Sequence, residues 1–252
     1  MIVISPAKRL ANSKCEISLE PTRPVFMQEA NELAKILGQM SSEELGDMMH
    51  VSGNIAELNA DRYKNWNKVD QIENRAIFQF EGDVFKHLNA KSMNSDEVNY
   101  MNSNLRILSG IYGILKPSDE MNPYRLEMGT QHAFGDSKNL YEFWGDKVAS
   151  ALNKELGDSY LFNLASDEYF SVIKNYVDEQ KVVNFKFLSL SGGKERVVGV
   201  IAKRARGEMA RHLIENQITN PNDATSFNKM DFVFREKINN TFVFSNSSSF
   251  PG

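Results

Sequence analysis

The chain has 252 residues, 41% hydrophobic and 25% Asp, Glu, Lys or Arg, a balance that suits a globular protein able to fold without disulfides or metal. Twenty-nine basic residues against 33 acidic ones leave a net charge of −4, which argues against the strongly basic, histone-like class of polyanion binder. A single cysteine, Cys15, precludes an intrachain disulfide, and no apolar run approaches the roughly 18 residues of a spanning helix, so a cytoplasmic protein without a membrane partner is expected.

Met1–Ile4 reads as a short buried strand, and Ser5-Pro6 after it has the form of an N-cap with proline at the first helical position. Helical spacing of Phe26, Ala30, Leu33, Ile36, Leu37 and Met40 predicts a helix over Val25–Met40. Ser41-Ser42-Glu43-Glu44 is a capping box for a second helix to about His50. Val51-Ser52-Gly53-Asn54 then turns into a third helix, Ile55–Trp66. Ala76–Phe80 reads as a strand, Val84–Leu88 as helix, Ser95–Leu105 as helix and Arg106–Leu108 as strand. One long amphipathic helix is predicted over Leu140–Leu156, then a buried strand Tyr160–Leu164 and a helix from Asp167. Strands Val182–Leu190 and Arg196–Ile201 flank the hairpin signal Ser191-Gly192-Gly193-Lys194. A helix Ala202–Ile218, a final hairpin with strands at Asp231–Phe234 and Thr241–Ser245, and a loose tail over 245–252 complete the chain. Without a steady βαβ rhythm the expected class is α+β, as a single compact domain over 1–252.

Two islands of positive charge stand out. Lys194–Arg211 holds six basic residues, Lys194, Arg196, Lys203, Arg204, Arg206 and Arg211, against two acids, Glu195 and Glu208. Gly207 within this helix costs about 1 kcal/mol relative to alanine, so something approaches closely there, either a phosphate or a packed neighbour. Lys8, Arg9 and Lys14 form the second island in a stretch with no acid. Each island has two readings, an anion site or a solvated face.

The helical hairpin over 41–66 also has two readings. It packs a core, or it is a helix-hairpin-helix in which backbone N–H groups near Gly53 hold a DNA phosphate. Leu108-Ser-Gly-Ile-Tyr-Gly113 is a second glycine-bearing candidate whose apolar filling suits packing better. Ser166-Asp167-Glu168 is accounted for by capping and first-turn acids. His50, His87, His132 and His212 show no metal-ligand spacing, so neither a metal site nor a cofactor is expected.

Several segments in order resemble the YaaA family of bacterial peroxide-stress proteins. They are Ile4-Ser-Pro-Ala-Lys8, Phe80-Glu-Gly-Asp-Val84, Leu108–Leu115, Pro123-Tyr-Arg-Leu-Glu-Met-Gly129, Tyr141–Asp146, Asn163–Phe170 and Ala202–Arg211. The resemblance implies a cytosolic protein of unusual α+β topology, with a helix-hairpin-helix-like element and a positively charged cleft. It also implies a part in the response to hydrogen peroxide, binding of duplex or structured DNA, protection of that DNA, and a link to lower free intracellular iron.

Carried onto this sequence, the expected DNA-binding residues are Lys8, Arg9, Gly53, Arg125, Lys203, Arg204, Arg206 and Arg211. Ser166 is a further polar motif position. The alternative is an enzyme, glycosylase- or lyase-like, acting on nucleic acid or a nucleotide. Its candidate catalytic residues are Lys8, Asp83, Glu127 and Glu168, with a buried lysine beside a carboxylate as nucleophile and base. A monomer without an intrinsic iron site is expected, any effect on iron being indirect.

Overall fold

The computed structural model describes residues 1–11, 19–66, 75–191 and 193–246. Lys14, Cys15 and the tail from residue 247 lie outside the described residues.

β1 (Ile2–Ile4) is wholly buried, as its unbroken apolar run requires. The helical turn expected at Ser5-Pro6 does not form. The chain stays irregular and reaches β2 (Arg9–Leu10), which pairs antiparallel with β3 (Phe80–Glu81). Between them lie α1 (Met27–Leu37), α2 (Ser42–Met49), α3 (Gly53–Lys64) and the single turn α4 (Ala76–Gln79). The predicted capping box is present: Glu44 N–H donates to Ser41 Oγ at 3.2 Å, and Ser41 N–H to the Glu44 carboxylate at 2.7 Å. α4 replaces the strand expected at Ala76–Phe80. All four of its residues are buried, and a short, fully buried apolar run carries no period by which to separate strand from helix.

α5 (Asp83–Leu88) and α6 (Ser95–Asn104) lead to β4 (Leu105–Ser109), which turns directly into β5 (Gly113–Leu115). The glycines of that turn serve packing. A Cβ on Gly110 would press into the Leu126 carbonyl, and a Cβ on Gly113, at φ +66°, would lie 2.9 Å from the Trp144 ring. The long helix expected over Leu140–Leu156 is two, α7 (Leu140–Trp144) and α8 (Lys147–Leu156), broken at Gly145 with φ +49°. β6 (Leu161–Leu164) runs into α9 (Asp167–Lys174). β7 (Val182–Ser191) and β8 (Lys194–Arg196) form the hairpin signalled by the serine and glycines. The strand expected to run on to Ile201 stops at Arg196, and α10 (Gly199–Glu215) begins. β9 (Val233–Ile238) and β10 (Thr241–Ser245) pair antiparallel at the end.

The strands join in the order β5-β4-β1-β6-β7-β10-β9, with β8 attached to β7. Helices and strands are mixed in one compact domain, as expected. The five central strands β4, β1, β6, β7 and β10 all run parallel, and the antiparallel members are the edges β5 and β9 and the short β8. This order creates a switch point. The chain leaves β1 toward β4 on one side, and leaves β6 toward β7 on the other. The carboxyl ends of β1 and β6, which are neighbours, therefore face a gap that no direct crossover covers, the usual place for a ligand in a parallel sheet.

Candidate functional site at the strand switch point

A crevice of about 410 Å³ opens outside the carboxyl ends of β1 and β6, within the range of small-ligand sites. β1 delivers Ser5, Lys8 and Arg9 to it, and β6 delivers Ser166 and Glu168. Glu81 and Asp83 come from the β3–α5 junction, and Lys203 and Arg206 from α10. Arg125 and Glu127 belong to an extended segment held against the β4–β5 turn by the close approach at Gly110 and by the Tyr63 hydroxyl, which donates to the Arg125 carbonyl at 2.7 Å. Lys8 and Arg9 of one island and Lys203 and Arg206 of the other thus share one cavity.

The lining holds five cations, Lys8, Arg9, Arg125, Lys203 and Arg206, against four carboxylates, Glu81, Asp83, Glu127 and Glu168. Glu127 takes Lys8 Nζ at 2.7 Å and Arg125 at 3.2 Å. Asp83 faces Arg204 at 3.4 Å, Glu81 faces Lys86 at 4.0 Å, and Glu168 accepts the Gly129 N–H at 3.0 Å. Each carboxylate lining the crevice is engaged. Arg9, Lys203 and Arg206 line the same crevice with no side-chain hydrogen bond or ion pair among the described residues. Of these, Arg206 is half-buried, and burial pushes its guanidinium pKa down, with Asp167 opposing part of the shift.

Ser166 differs from the sequence reading. It stands at the N-cap of α9 yet makes no capping bond. Its N–H donates instead to Ser5 Oγ at 2.8 Å, and Ser5 Oγ donates to Ser166 Oγ at 3.2 Å. The two serines tie the ends of β1 and β6 together, a role sequence reasoning missed because neither strand's neighbour was known.

The α2–α3 hairpin borders the other side of Arg125 and Glu127. Met48, Met49 and His50 line a second opening of about 290 Å³ that shares Arg125, Glu127 and Glu168 with the crevice. Gly53 opens α3, its Cβ position free of neighbours within 4 Å, and Ser52 makes no side-chain cap. The first N–H groups of α3 therefore lack the side-chain acceptor that a cap supplies.

Arg211 lies elsewhere. Its side chain, 15% exposed, donates to the Asn89 carbonyl at 2.8 Å and Ser92 Oγ at 2.7 Å, and pairs with Glu215 at 2.6 Å. It joins α10 to the end of α5, apart from the crevice lining. Gly207 answers the question its position raised: a Cβ there would press into the Val84 carbonyl of α5, so the close neighbour is a helix.

His87 is bound to Glu208 at 2.8 Å. His212 is buried with its Nδ1 accepting from Asn216 at 3.2 Å and its Nε2 at 3.1 Å from Ser226 Oγ. That arrangement requires the neutral ring, and burial holds its pKa below the usual value. Below a pH of about 6.5 the unfolded chain takes up this proton before the folded one does. Stability is then full above that pH and is lost as the pH falls toward the folded-state pKa. Urea melts at pH 7.5 and 5.5 should show this loss, and His212→Gln should reduce it.

A parallel-centred sheet with helices packed about it and a crevice at its switch point defines a mixed α/β protein with one candidate site there. The family model for the peroxide stress protein YaaA matches residues 1–238. Similar curated proteins include a UPF0246 protein of Ralstonia pickettii, 41% identical over 239 residues covering 93% of each chain. A second, from Idiomarina loihiensis, is 40% identical over 241 residues, covering 94% of this chain and 93% of its own. The chain belongs to the YaaA family of peroxide stress proteins.

Proposed function

We propose that this protein serves the peroxide response by binding DNA, holding phosphates with the crevice cations and with the tip of the α2–α3 hairpin. The observation that carries this is the convergence of Arg9, Lys203 and Arg206 on one crevice while its acids are engaged. A chain of net charge −4 thereby keeps a local site for a polyanion. The hairpin adds uncapped N–H groups at Gly53, suited to a phosphate at a helix N-terminus, beside the same Arg125–Glu127 wall. On this reading the hairpin acts as a helix-hairpin-helix and the crevice as the positive cleft. DNA shielded in this way is spared oxidative damage, and the link to free iron is indirect.

Lysine catalysis is the weaker use of the same residues. Lys8 is 61% exposed and sits 2.7 Å from Glu127, so it lacks the desolvation that activates a nucleophilic lysine.

Fluorescence anisotropy with two duplexes of unrelated sequence tests the reading. Both should bind within about threefold of each other, because phosphate contacts position without reading bases. Gly53→Asp should weaken both at least tenfold, since its carboxylate occupies the phosphate position, and its side chain has room to leave the fold intact. Unchanged affinity in that variant contradicts the hairpin's part.

A further inference from the structure

Arg206 carries an observation that backbone binding alone leaves unused. Its guanidinium is half-buried and lines the crevice with no hydrogen bond or ion pair among the described residues, Asp167 acting on it only through space and less than burial does. A cation taken out of water without a partner is costly, so the surroundings are those of a site completed by an anion. Ser166 stands in the same lining. Its hydroxyl accepts from Ser5 and its N–H is already committed, which leaves its own hydroxyl hydrogen to donate. The rest of the lining is of another kind: Pro6, Val84, Phe85, Leu126 and Tyr169 form an apolar wall. A cavity of about 410 Å³ exceeds what a bare phosphate occupies, and its apolar wall suits the body of a larger ligand.

We infer that the crevice holds one nucleoside monophosphate unit, its phosphate against Arg206 and Ser166 and its base and sugar over the wall of Val84, Phe85 and Leu126. The unit is either a nucleotide turned out of a DNA strand or a free nucleotide. The first case rests on the DNA-binding reading and the second does not. Extrusion into such a pocket costs least where the base is already unpaired.

Two arms separate the sources. Calorimetry should show dAMP binding one to one, at least tenfold more tightly than deoxyadenosine or inorganic phosphate, if free nucleotide is the ligand. Anisotropy should show a duplex with one bulged nucleotide binding at least tenfold more tightly than the fully paired duplex, if the ligand is part of DNA. In either arm Arg206→Gln should abolish the preference while leaving the melting temperature equal to or above that of the wild type, because a desolvated charge with no hydrogen bond or ion pair among the described residues has been removed. Should that variant fail to fold, the wild-type comparison of dAMP with deoxyadenosine and of bulged with paired duplex still decides.

The inference is overturned if neither arm shows a preference, or if the preference survives in folded Arg206→Gln. Inorganic phosphate binding as tightly as dAMP, with no preference for the bulge, overturns it as well. Failure of the DNA reading looks different: paired and bulged duplexes both remain unbound, whatever dAMP does.

Discussion

Changing Arg9, Lys203 and Arg206 together to glutamine should weaken duplex binding on the order of 500-fold at 0.1 M salt. Each phosphate neutralised on B-DNA contributes a slope of about 0.9 in log affinity against log salt, or about eightfold at that concentration. Three such contacts multiply to the stated loss. The fold should be unaffected, because none of the three side chains has a hydrogen bond or ion pair to lose among the described residues. Anisotropy beside a thermal melt separates the two effects. A loss below tenfold with an intact melt means that these cations do not meet the backbone.

Gly207→Ala should destabilise the protein by about 3 kcal/mol. In an exposed helix the change would gain about 1 kcal/mol from propensity, so the sign itself is informative. Here the new methyl presses into the Val84 carbonyl and would lie 2.8 Å from the His87 Cβ and 3.1 Å from the Leu88 nitrogen. Two of these are backbone atoms that cannot rotate away, so α5 and α10 must separate, and overpacking of this kind costs about 1–3 kcal/mol or more. The same contact positions Asp83, Lys203 and Arg206 around the crevice, so duplex affinity should fall with stability. A stabilised variant in urea melts would show that the helices are not in contact at this point.

Local signals in the sequence proved the most legible. The Ser41–Glu44 capping box and the turn at Ser191–Lys194 depend on neighbours a few residues away, and both stand where expected. Gly145 and the buried run at Ala76–Gln79 misled because apolar spacing continues through a break and vanishes in a short element. The parallel centre of the sheet was hidden for a different reason. β1 and β4 are neighbours although the chain between them runs from Ile4 to Leu105, so no βαβ rhythm marks the crossover.

The site was legible as composition but not as geometry. Lys8 and Arg9 could be seen as one cationic island and Lys203 and Arg206 as another, but only the adjacency of β1 and β6 and the packing of α10 bring them to one crevice. Arg211 shares a helical face with Lys203 and Arg204 on a wheel. In the fold it reaches the Asn89 carbonyl at the end of α5, which no wheel can show. Ser166 looked like a cap because its sequence context is that of a cap, while its actual partner, Ser5, lies 161 residues away.

The salt dependence of wild-type binding to a plain duplex tests the central claim most directly. Arg9, Lys203 and Arg206 have no ion pair among the described residues. Lys8 and Arg204 are exposed, and their ion pairs exchange at little cost. About five phosphate contacts follow, and with them a slope of log affinity against log salt of about −4 to −5 between 50 and 200 mM. A slope near zero, or no binding at the low end of that range, would contradict the account.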